Sequence, residues 1–338
     1  MNLKEFSKKI GLPVSTISKA LGNYKDVNIE TKKKIKILAN KYNYSPNLYA
    51  KNLASHNILS VGLVLPTKDN FIHKHALIEF IQNIYSELNK INIPVVMIFA
   101  ENPSDEIQAY EKLINYHKVR LIILNDTKEN DQRIKYLDKK KMPYLTWGRT
   151  NKKDDTYTWI DEDIHYTTEL ALRYIFSKGH KNVCLIGSIE KNNYFDIRQK
   201  YFFEFYKKNN IQISQKNIIK LKSNNFNYSK KKLLRFIKTN KDTTLYLVSS
   251  EQFINIVLES FREINKVTGK DISIMSFDSN VLDSLAPYIT SISQPVDEVK
   301  KNLIKLIIGK LNNINSDKNF LYKSKLKEKK SVIDLNKL

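Results

Sequence analysis

The sequence predicts an α/β protein with a three-helix helix-turn-helix head and a hinge helix, followed by two doubly wound lobes, each built on a parallel sheet. Two observations support this prediction. Residues 1–56 hold short segments with helical spacing, and from Ile58 onwards Val/Ile/Leu runs alternate with longer amphipathic stretches. A chain of 338 residues with 41% hydrophobic side chains has enough apolar material for two or three cores.

The first two helices of the head are indicated by their apolar spacing and by the residues between them. Leu3, Phe6 and Ile10 recur at helical intervals, and Gly11 is expected to end that helix with a positive φ. Pro13 suits the first turn of a second helix, where its missing N–H removes no hydrogen bond.

The second helix is expected to turn Ile17 and Leu21 inwards and a hydroxyl-rich face outwards. A third helix has apolar residues at i, i+3, i+4 and i+7 from Ile35 to Tyr42. With a tight turn between the first two, these form a helix-turn-helix arrangement, whose second helix reads base edges and phosphates in the major groove. The spacing alone leaves a second interpretation open, a small three-helix domain with a solvated basic face.

Residues 44–54 predict a hinge behind the head. The run Tyr44-Ser45-Pro46-Asn47 stops the third helix, because the residue before a proline avoids the α region. Residues 47–54 can then form two turns of helix, which is too short to be stable alone. This helix is expected to order only when something packs against it.

The net charge of +22 points to an anionic partner, and it is unevenly distributed. Residues 1–56 carry 11 Lys and 3 acidic residues, a net charge of +8, whereas the remaining 282 residues carry +14. The single Cys184 excludes an internal disulfide framework. There is neither an apolar run of membrane-spanning length nor a signal-peptide core at the N-terminus. The sequence therefore predicts a cytoplasmic protein with no membrane contact.

The body is predicted to contain parallel sheets covered on both faces, because strand-like runs alternate with helical stretches. About eight strands over some 280 residues fit two lobes better than one sheet. The Lys-rich segment 318–330 is expected to fray. The predicted strands are 59–65, 94–99, 119–124, 143–147, 183–187, 244–248, 272–277 and 289–293, with helical stretches such as 74–90, 163–178 and 251–266.

Three groups of residues resemble the lactose-repressor (LacI/GalR) family of transcriptional regulators. The head matches at Gly11–Leu21 (GLPVSTISKAL) and at Tyr44–Asn47, followed by Ala50 and Leu53. The body matches most specifically at Asp271–Asp278 (DISIMSFD). The resemblance implies a helix-turn-helix domain at 1–45, a hinge helix at 46–57, and a two-lobed effector-binding and dimerisation domain at 58–338. The lobes would resemble periplasmic sugar-binding proteins, be joined by three crossovers and hold a ligand in the cleft.

The resemblance also implies roles for individual residues. A homodimer would bind operator DNA, and the paired hinge helices would insert the residue at the position of Leu53 as a wedge in the minor groove. An apolar Val14 suits a thymine methyl group. The candidate DNA-contacting residues are Val14, Ser15, Thr16, Ser18, Lys19, Asn47, Ala50 and Leu53.

The ligand is expected beyond the carboxyl ends of the strands, where open parallel sheets bind small molecules. Arg and Asp suit paired hydrogen bonds to sugar hydroxyls, and Trp offers a flat apolar face. Only 7 of the 57 basic residues are Arg, so Arg149 and Arg198 stand out from a Lys background, although an ordinary salt bridge is the alternative for each. The candidate residues for a sugar or sugar phosphate are Phe71, Trp147, Arg149, Asp161, Arg198, Glu251 and Asp278.

Other functional classes are less well supported. The sequence lacks G-x-x-x-x-G-K-[ST], G-x-G-x-x-G, H-E-x-x-H, paired cysteines and G-x-S-x-G, so neither an enzyme nor a metal or cofactor is expected. The prediction is a repressor of genes for sugar uptake or catabolism, controlled by a sugar or sugar phosphate in the interlobe cleft. Because Ser249-Ser250-Glu251 stands where relatives carry Asn-Asp, the alternative is a degenerate pocket, with DNA binding that is constitutive or controlled by a partner protein. A third interpretation, a solute-binding protein, does not account for the head.

Overall fold

The computed structural model describes residues 3–21, 26–42, 44, 59–67, 75–128, 130–150, 156–189, 193–277, 282–314 and 319–337. The chain divides into two compact units, Met1–Ile58 and Leu59–Leu338. The predicted hinge at 46–57 lies outside the described residues.

Three helices form the described part of the first unit: α1 (Leu3–Ile10), α2 (Val14–Leu21) and α3 (Ile29–Lys41). Gly11 has φ +66°, which confirms the expected break after α1. Phe6, Ile17 and Ile35 are fully buried between the helices, and Tyr44 stacks on Phe6 with 4.3 Å between ring centroids. Leu21 packs against this core as expected and is partly buried, and Ala20 is fully buried beside it.

The second unit contains two six-stranded sheets within the described ranges, which confirms the predicted α/β fold with two doubly wound lobes. The lobe 1 sheet has the order β11-β5-β4-β3-β1-β2, and the lobe 2 sheet has the order β12-β10-β9-β8-β6-β7. The pairing is parallel throughout, except for the antiparallel pair of β10 and β12. The strands are β1 (Val61–Pro66), β2 (Val95–Ala100), β3 (Leu121–Leu124), β4 (Tyr144–Trp147), β5 (Thr158–Glu162), β6 (Val183–Ser188), β7 (Ile218–Leu221), β8 (Leu245–Val248), β9 (Ser273–Phe277), β10 (Thr290–Ser293), β11 (Asn319–Tyr322) and β12 (Lys325–Lys327).

Helices cover both faces of each sheet, which is why the central strands are continuous apolar runs. The helices are α4 (His75–Lys90), α5 (Pro103–Glu111, continued by a π-turn to Tyr116), α6 (Gln132–Lys139), α7 (Ile164–Ser177), α8 (Asn193–Lys208), α9 (Phe226–Thr239), α10 (Ile254–Glu263), α11 (Leu282–Leu285) and α12 (Val296–Leu311), with 3₁₀ turns at Gln215–Asn217, Glu251–Phe253 and Leu335–Lys337. In lobe 1, α4 and α12 pack on one face of the sheet and α5 and α6 pack on the other. In lobe 2, α7 and α8 cover one face of the sheet and α9 and α10 cover the other.

The chain crosses between the lobes three times over the described residues: from β5 to α7, from β10 to α12 and from β11 to β12. In each sheet the strand order reverses once, between β1 and β3 in lobe 1 and between β6 and β8 in lobe 2. Loops that follow the strands flanking such a reversal open a crevice at the carboxyl ends of the sheet. These loops define where a ligand site is expected.

Strands β5, β7, β11 and β12 were not predicted. The expectation that residues 318–330 fray was wrong, because β11 pairs with β5 and β12 pairs with β10. Three of the four lie at sheet edges, where short strands with polar residues suffice. β5 is central and fully buried, but it ends in two carboxylates and so does not read as an apolar run.

Among the described residues, none of the helices has the length and apolarity that spanning a membrane requires.

Candidate functional site

Lobe 1 contributes an ion pair at the carboxyl edge of its sheet. Arg149 follows β4, and its Nε donates a hydrogen bond to Asp161 Oδ2 of β5 at 2.9 Å. The guanidinium also lies over the Trp159 ring, 5.1 Å from its centroid. The Arg149 side chain is 33% exposed, whereas that of Asp161 is 12% exposed. Arg149 and Asp161, which the sequence singled out separately, are paired with each other at the ends of β4 and β5, as the salt-bridge alternative for Arg149 expects.

The pair leaves Asp161 incompletely compensated. Burial raises the pKa of the Asp161 carboxyl above its ordinary value, even though the hydrogen bond and charge of Arg149 lower it. The Asp161 Oδ1 atom accepts a hydrogen bond from the backbone N–H of Glu162 at 2.8 Å. A ligand hydroxyl donating to this carboxylate would stabilise its charged form, which suits the paired recognition expected for a sugar.

Trp147 ends β4 at the same edge. Its ring packs on Phe80 of α4 at a centroid distance of 3.9 Å and is partly buried against the lobe 1 core. Phe80 therefore covers part of the Trp147 ring. A ligand can contact only the part of the ring that Phe80 leaves uncovered. Phe71 lies outside the described residues.

A buried carboxylate connects the two lobes. Glu162 is the last residue of β5, at the first crossover, and it is 3% exposed. Its Oε1 accepts a hydrogen bond of 2.5 Å from the hydroxyl of Ser324, which lies on the third crossover. Its Oε2 accepts from Tyr194 at 2.6 Å and from Arg198 Nη2 at 3.2 Å, both on α8 of lobe 2. Glu162, Ser324, Tyr194 and Arg198 are called the hinge cluster below.

Arg198 is fully enclosed within this cluster. Its Nη1 donates to the Ser249 carbonyl at 3.0 Å, and its Nη2 donates to both Glu162 and Tyr194. The guanidinium carbon lies 4.0 Å from the Tyr194 ring centroid and 3.5 Å from that of Phe277. Arg198 has 0% exposure, and its buried Nε finds no hydrogen-bond partner in the described part of the chain. A ligand could reach this guanidinium only if the cluster rearranged.

The remaining predicted cleft residue within the described ranges is Glu251. It opens the 3₁₀ turn after β8, beside the strand reversal of lobe 2, and its Oε2 accepts a hydrogen bond from Ser250 at 3.1 Å. The Ser249 carbonyl thus accepts a hydrogen bond from Arg198, and the Ser250 hydroxyl donates one to Glu251. Asp278 lies outside the described residues.

The second helix of the head presents the predicted DNA-contacting face to solvent. Val14 is 37% exposed, Ser15 is exposed, and Thr16 and Ser18 are partly exposed. Lys19 Nζ lies 2.5 Å from Asp26 Oδ2, and this hydrogen bond lowers the pKa of Asp26. About half of each side chain is exposed, so the pair is weak and Lys19 can exchange Asp26 for a phosphate. Asn47, Ala50 and Leu53 lie outside the described residues.

The chain is similar in sequence to helix-turn-helix transcriptional regulators. Residues 172–332 match the model of a periplasmic binding protein-like domain. The chain is 28% identical to the regulator RafR of Escherichia coli over 200 residues, which is 59% of each chain. It is 25% identical to AglR of Rhizobium meliloti over 303 residues, covering 90% of this chain and 84% of AglR.

Solved structures share the whole fold. The Lac repressor dimer bound to operator and the anti-inducer ONPF superimposes with a TM-score of 0.81 at 19% identity, covering 98% of this chain and 99% of that one. The regulator CelR in complex with cellobiose gives a TM-score of 0.71 at 14% identity, with the same coverage. Together these similarities support a regulator of the lactose-repressor (LacI/GalR) family. The similar curated proteins are DNA-binding regulators rather than enzymes.

The sequence patterns did not single out Glu162, Tyr194 or Ser324 as functional residues. Glu162 interrupts an apolar strand, and a buried acid in such a strand indicates a paired charge. Tyr194 and Ser324 carry no comparable signal, because Tyr and Ser are frequent in this chain. A fourth missed residue is Arg133, which is one of the 7 arginines and was open to the same scarcity argument as Arg149 and Arg198.

Replacing Glu162 tests whether the hinge cluster is a coupled pair of buried charges. Glu162→Gln keeps the shape but leaves the Arg198 charge uncompensated, so we expect the free energy of unfolding to fall by about 3–5 kcal/mol. Arg198→Met in the Glu162→Gln background should recover more than half of that loss. Urea titrations of the four proteins of this double-mutant cycle measure the coupling. Additive losses would show that the two charges do not depend on each other.

Proposed function

We propose that this protein represses transcription by binding a near-palindromic operator as a homodimer, and that a neutral sugar in the interlobe cleft controls this binding. The observation that carries the proposal is one chain with an exposed recognition helix and a two-lobed body whose cleft edge presents the Arg149–Asp161 pair. A planar guanidinium beside a carboxylate is suited to vicinal hydroxyls, since one donates and the other accepts.

The charges of the described cleft residues favour a neutral ligand over a sugar phosphate. Arg149 is paired with Asp161, and Arg198 is paired with Glu162. A phosphate would bring close to two negative charges to a site whose described arginines are already neutralised. The cellobiose complex of CelR, a structure with the same fold, also supports a neutral sugar.

An apolar surface on lobe 1 supports a homodimer. β2 is an edge strand, and Met97 and Phe99 on it are 40% and 57% exposed. Tyr85 on α4 and Ile91 after it are 52% and 46% exposed. Large apolar side chains along a sheet edge commonly mark a contact surface, and a two-fold dimer is the commonest arrangement. A two-fold dimer would also match the two halves of a near-palindromic operator.

The hinge cluster offers a means of control. Glu162 and Ser324 lie on two of the crossovers, and Tyr194 and Arg198 lie on a lobe 2 helix. A sugar that touches both lobes would favour one lobe arrangement by its differential affinity for the two. The residues at 46–57 would pass this preference to DNA, since a helix of two turns orders only when it is packed.

The enclosure of Arg198 favours one alternative, in which the cleft binds no sugar and a partner protein controls the regulator. In that case the hinge cluster has only a structural role, and the substituted Ser249–Glu251 segment marks a degenerate pocket. Ligand binding distinguishes the two proposals directly.

Operator selection tests the DNA-binding half of the proposal. The full chain should enrich a near-palindromic site from random duplexes, and Thr16→Ala should weaken binding to it about tenfold through a lost base contact. Leu53→Ala should weaken binding at least as much, because no wedge then stabilises the bent site. Fluorescence anisotropy measures both, with Lys200→Ala on α8 as control. Enrichment without symmetry, or unchanged binding by Leu53→Ala, would contradict the proposal.

Thermal-shift measurements with neutral mono-, di- and trisaccharides, including cellobiose, and with matching sugar phosphates test the ligand half. A neutral sugar should stabilise the protein, and Arg149→Met should weaken its binding about 100-fold by removing two charge-assisted hydrogen bonds. Arg173→Met, which removes an exposed arginine paired with Glu169 on α7, is the matched control. Stronger stabilisation by the phosphates would refute the neutral-ligand proposal, and no response to any sugar would favour control by a partner protein.

A further inference from the structure

A strained loop in lobe 1 lies beside the cleft edge. It connects β3 to α6, and β3 flanks the strand reversal of the lobe 1 sheet. Two of its residues have left-handed backbones, Asp126 with φ +49° and Asn130 with φ +52°. Asp and Asn enter this region more readily than other non-glycine residues, but still at a conformational cost. Contacts that hold the loop in this shape offset that cost.

Arg133, on the first turn of α6, provides that support. Its Nε and Nη2 donate to the two carboxylate oxygens of Asp131 at 2.9 and 2.7 Å, and Nη2 also donates to the carbonyl of Asp126 at 2.9 Å. Nη1 reaches Glu106 of α5 at 3.3 Å. Only 10% of the Arg133 side chain is exposed. One planar side chain thus connects the beginning of the loop, its end and a neighbouring helix.

Asp131 has two further roles in the same loop. Its Oδ1 accepts from the backbone N–H of Arg133 at 3.0 Å as the N-cap of α6, and its Oδ2 accepts from Lys128 N–H at 3.1 Å. Burial raises the pKa of Asp131, but the hydrogen bond and charge of Arg133 outweigh burial, so the pKa is lowered overall. The carboxylate is therefore held ionised against Arg133.

The loop contacts the segment that carries Arg149. The Thr127 hydroxyl donates to the Arg149 carbonyl at 3.1 Å. Gly148 has φ +102°, and a Cβ atom there would lie 2.7 Å from Thr127 Oγ1, so the loop can approach this segment so closely only because residue 148 has no side chain. On the other side, Gly148 N–H donates to the Ile160 carbonyl of β5 at 2.9 Å. The backbone before Arg149 is held between the loop and the sheet.

We propose that Arg133 is a positioning residue of the cleft: through the loop and Thr127 it sets where the Arg149 guanidinium lies between Trp159 and Asp161, and thereby the affinity of the cleft for its sugar. Lysine cannot replace it, because an ammonium group does not contact both Asp131 oxygens and the Asp126 carbonyl in one plane. The affinity effect rests on the proposed function, whereas the placement of Arg149 does not.

The chain contains its own reporter for this placement. It has two tryptophans, Trp147 and Trp159, and the Arg149 guanidinium lies over Trp159. In a Trp147→Phe background, fluorescence comes from Trp159 alone, which is 6% exposed. The accessibility of Trp159 to iodide then measures whether Arg149 covers the ring, independently of any ligand.

The test compares three variants in that background. Arg133→Lys breaks the bidentate contact, Thr127→Val removes only the hydroxyl that reaches Arg149, and Arg173→Lys replaces an exposed arginine on α7 as control. Arg133→Lys and Thr127→Val should each raise the iodide quenching constant of Trp159 about twofold. In the chain with both tryptophans, they should weaken binding of the stabilising sugar about tenfold. The control should leave both values unchanged.

The melting temperature separates positioning from a purely structural role. Thr127→Val keeps the Arg133–Asp131 pair and is expected to melt close to the parent protein while it shows the quenching and affinity changes. If Arg133→Lys lowers the melting temperature but leaves Trp159 quenching unchanged, the salt bridge is only structural and the inference is wrong. If quenching rises in both variants but even the unsubstituted chain binds no sugar, Arg133 positions Arg149 and the proposed function fails instead.

Discussion

The carboxylate of Glu162 lies at the first crossover between the two lobes and accepts hydrogen bonds from groups on both sides of it. A buried carboxylate and a buried guanidinium are each unfavourable alone, because leaving water costs several kcal/mol per ion. Here Glu162 satisfies Arg198, Tyr194 and Ser324 at once, and so joins two crossovers to a helix of lobe 2. A different lobe arrangement would have to find new partners for both charges. Such a requirement favours a small number of discrete arrangements over continuous bending.

The cleft edge has two arginines in contrasting states. Arg149 is a third exposed and has a carboxylate with capacity for another donor, whereas Arg198 is enclosed and stacked between aromatic rings. The first is suited to contact a ligand directly. The second is suited to respond to lobe movement, since its partners come from both lobes. Under the proposed function, this division of roles would connect a sugar in the cleft to the relative position of the lobes.

Sequence patterns predicted the lobes because parallel strands buried on both faces must be apolar throughout, as β3 and β6 are. They singled out Arg149 and Asp161 separately but not their pairing, because β5 was not predicted. The patterns failed where a buried strand end is stabilised by ion pairs with residues distant in sequence and not by apolar side chains. β5 ends in two acids that are stable only because Arg149 and Arg198 reach them, and a partner that is distant in sequence leaves no local pattern. Arg133 was open to the scarcity argument that singled out Arg149 and Arg198, but its role depends on a loop folded around it, which no local pattern indicates.

Spin-label distances between the lobes measure directly whether Glu162 fixes their arrangement. Nitroxides at Lys139→Cys on α6 and Lys207→Cys on α8 report this distance, and labelled chains diluted with unlabelled protein exclude signals between subunits. Cys184 is fully buried and burial raises the pKa of its thiol, so it stays unlabelled. The protein that keeps Glu162 should give one narrow distance distribution. The Glu162→Gln variant should give a broader distribution or a second population of distances. Identical narrow distributions in both proteins would show that the lobes are held by other contacts and that Glu162 does not govern them.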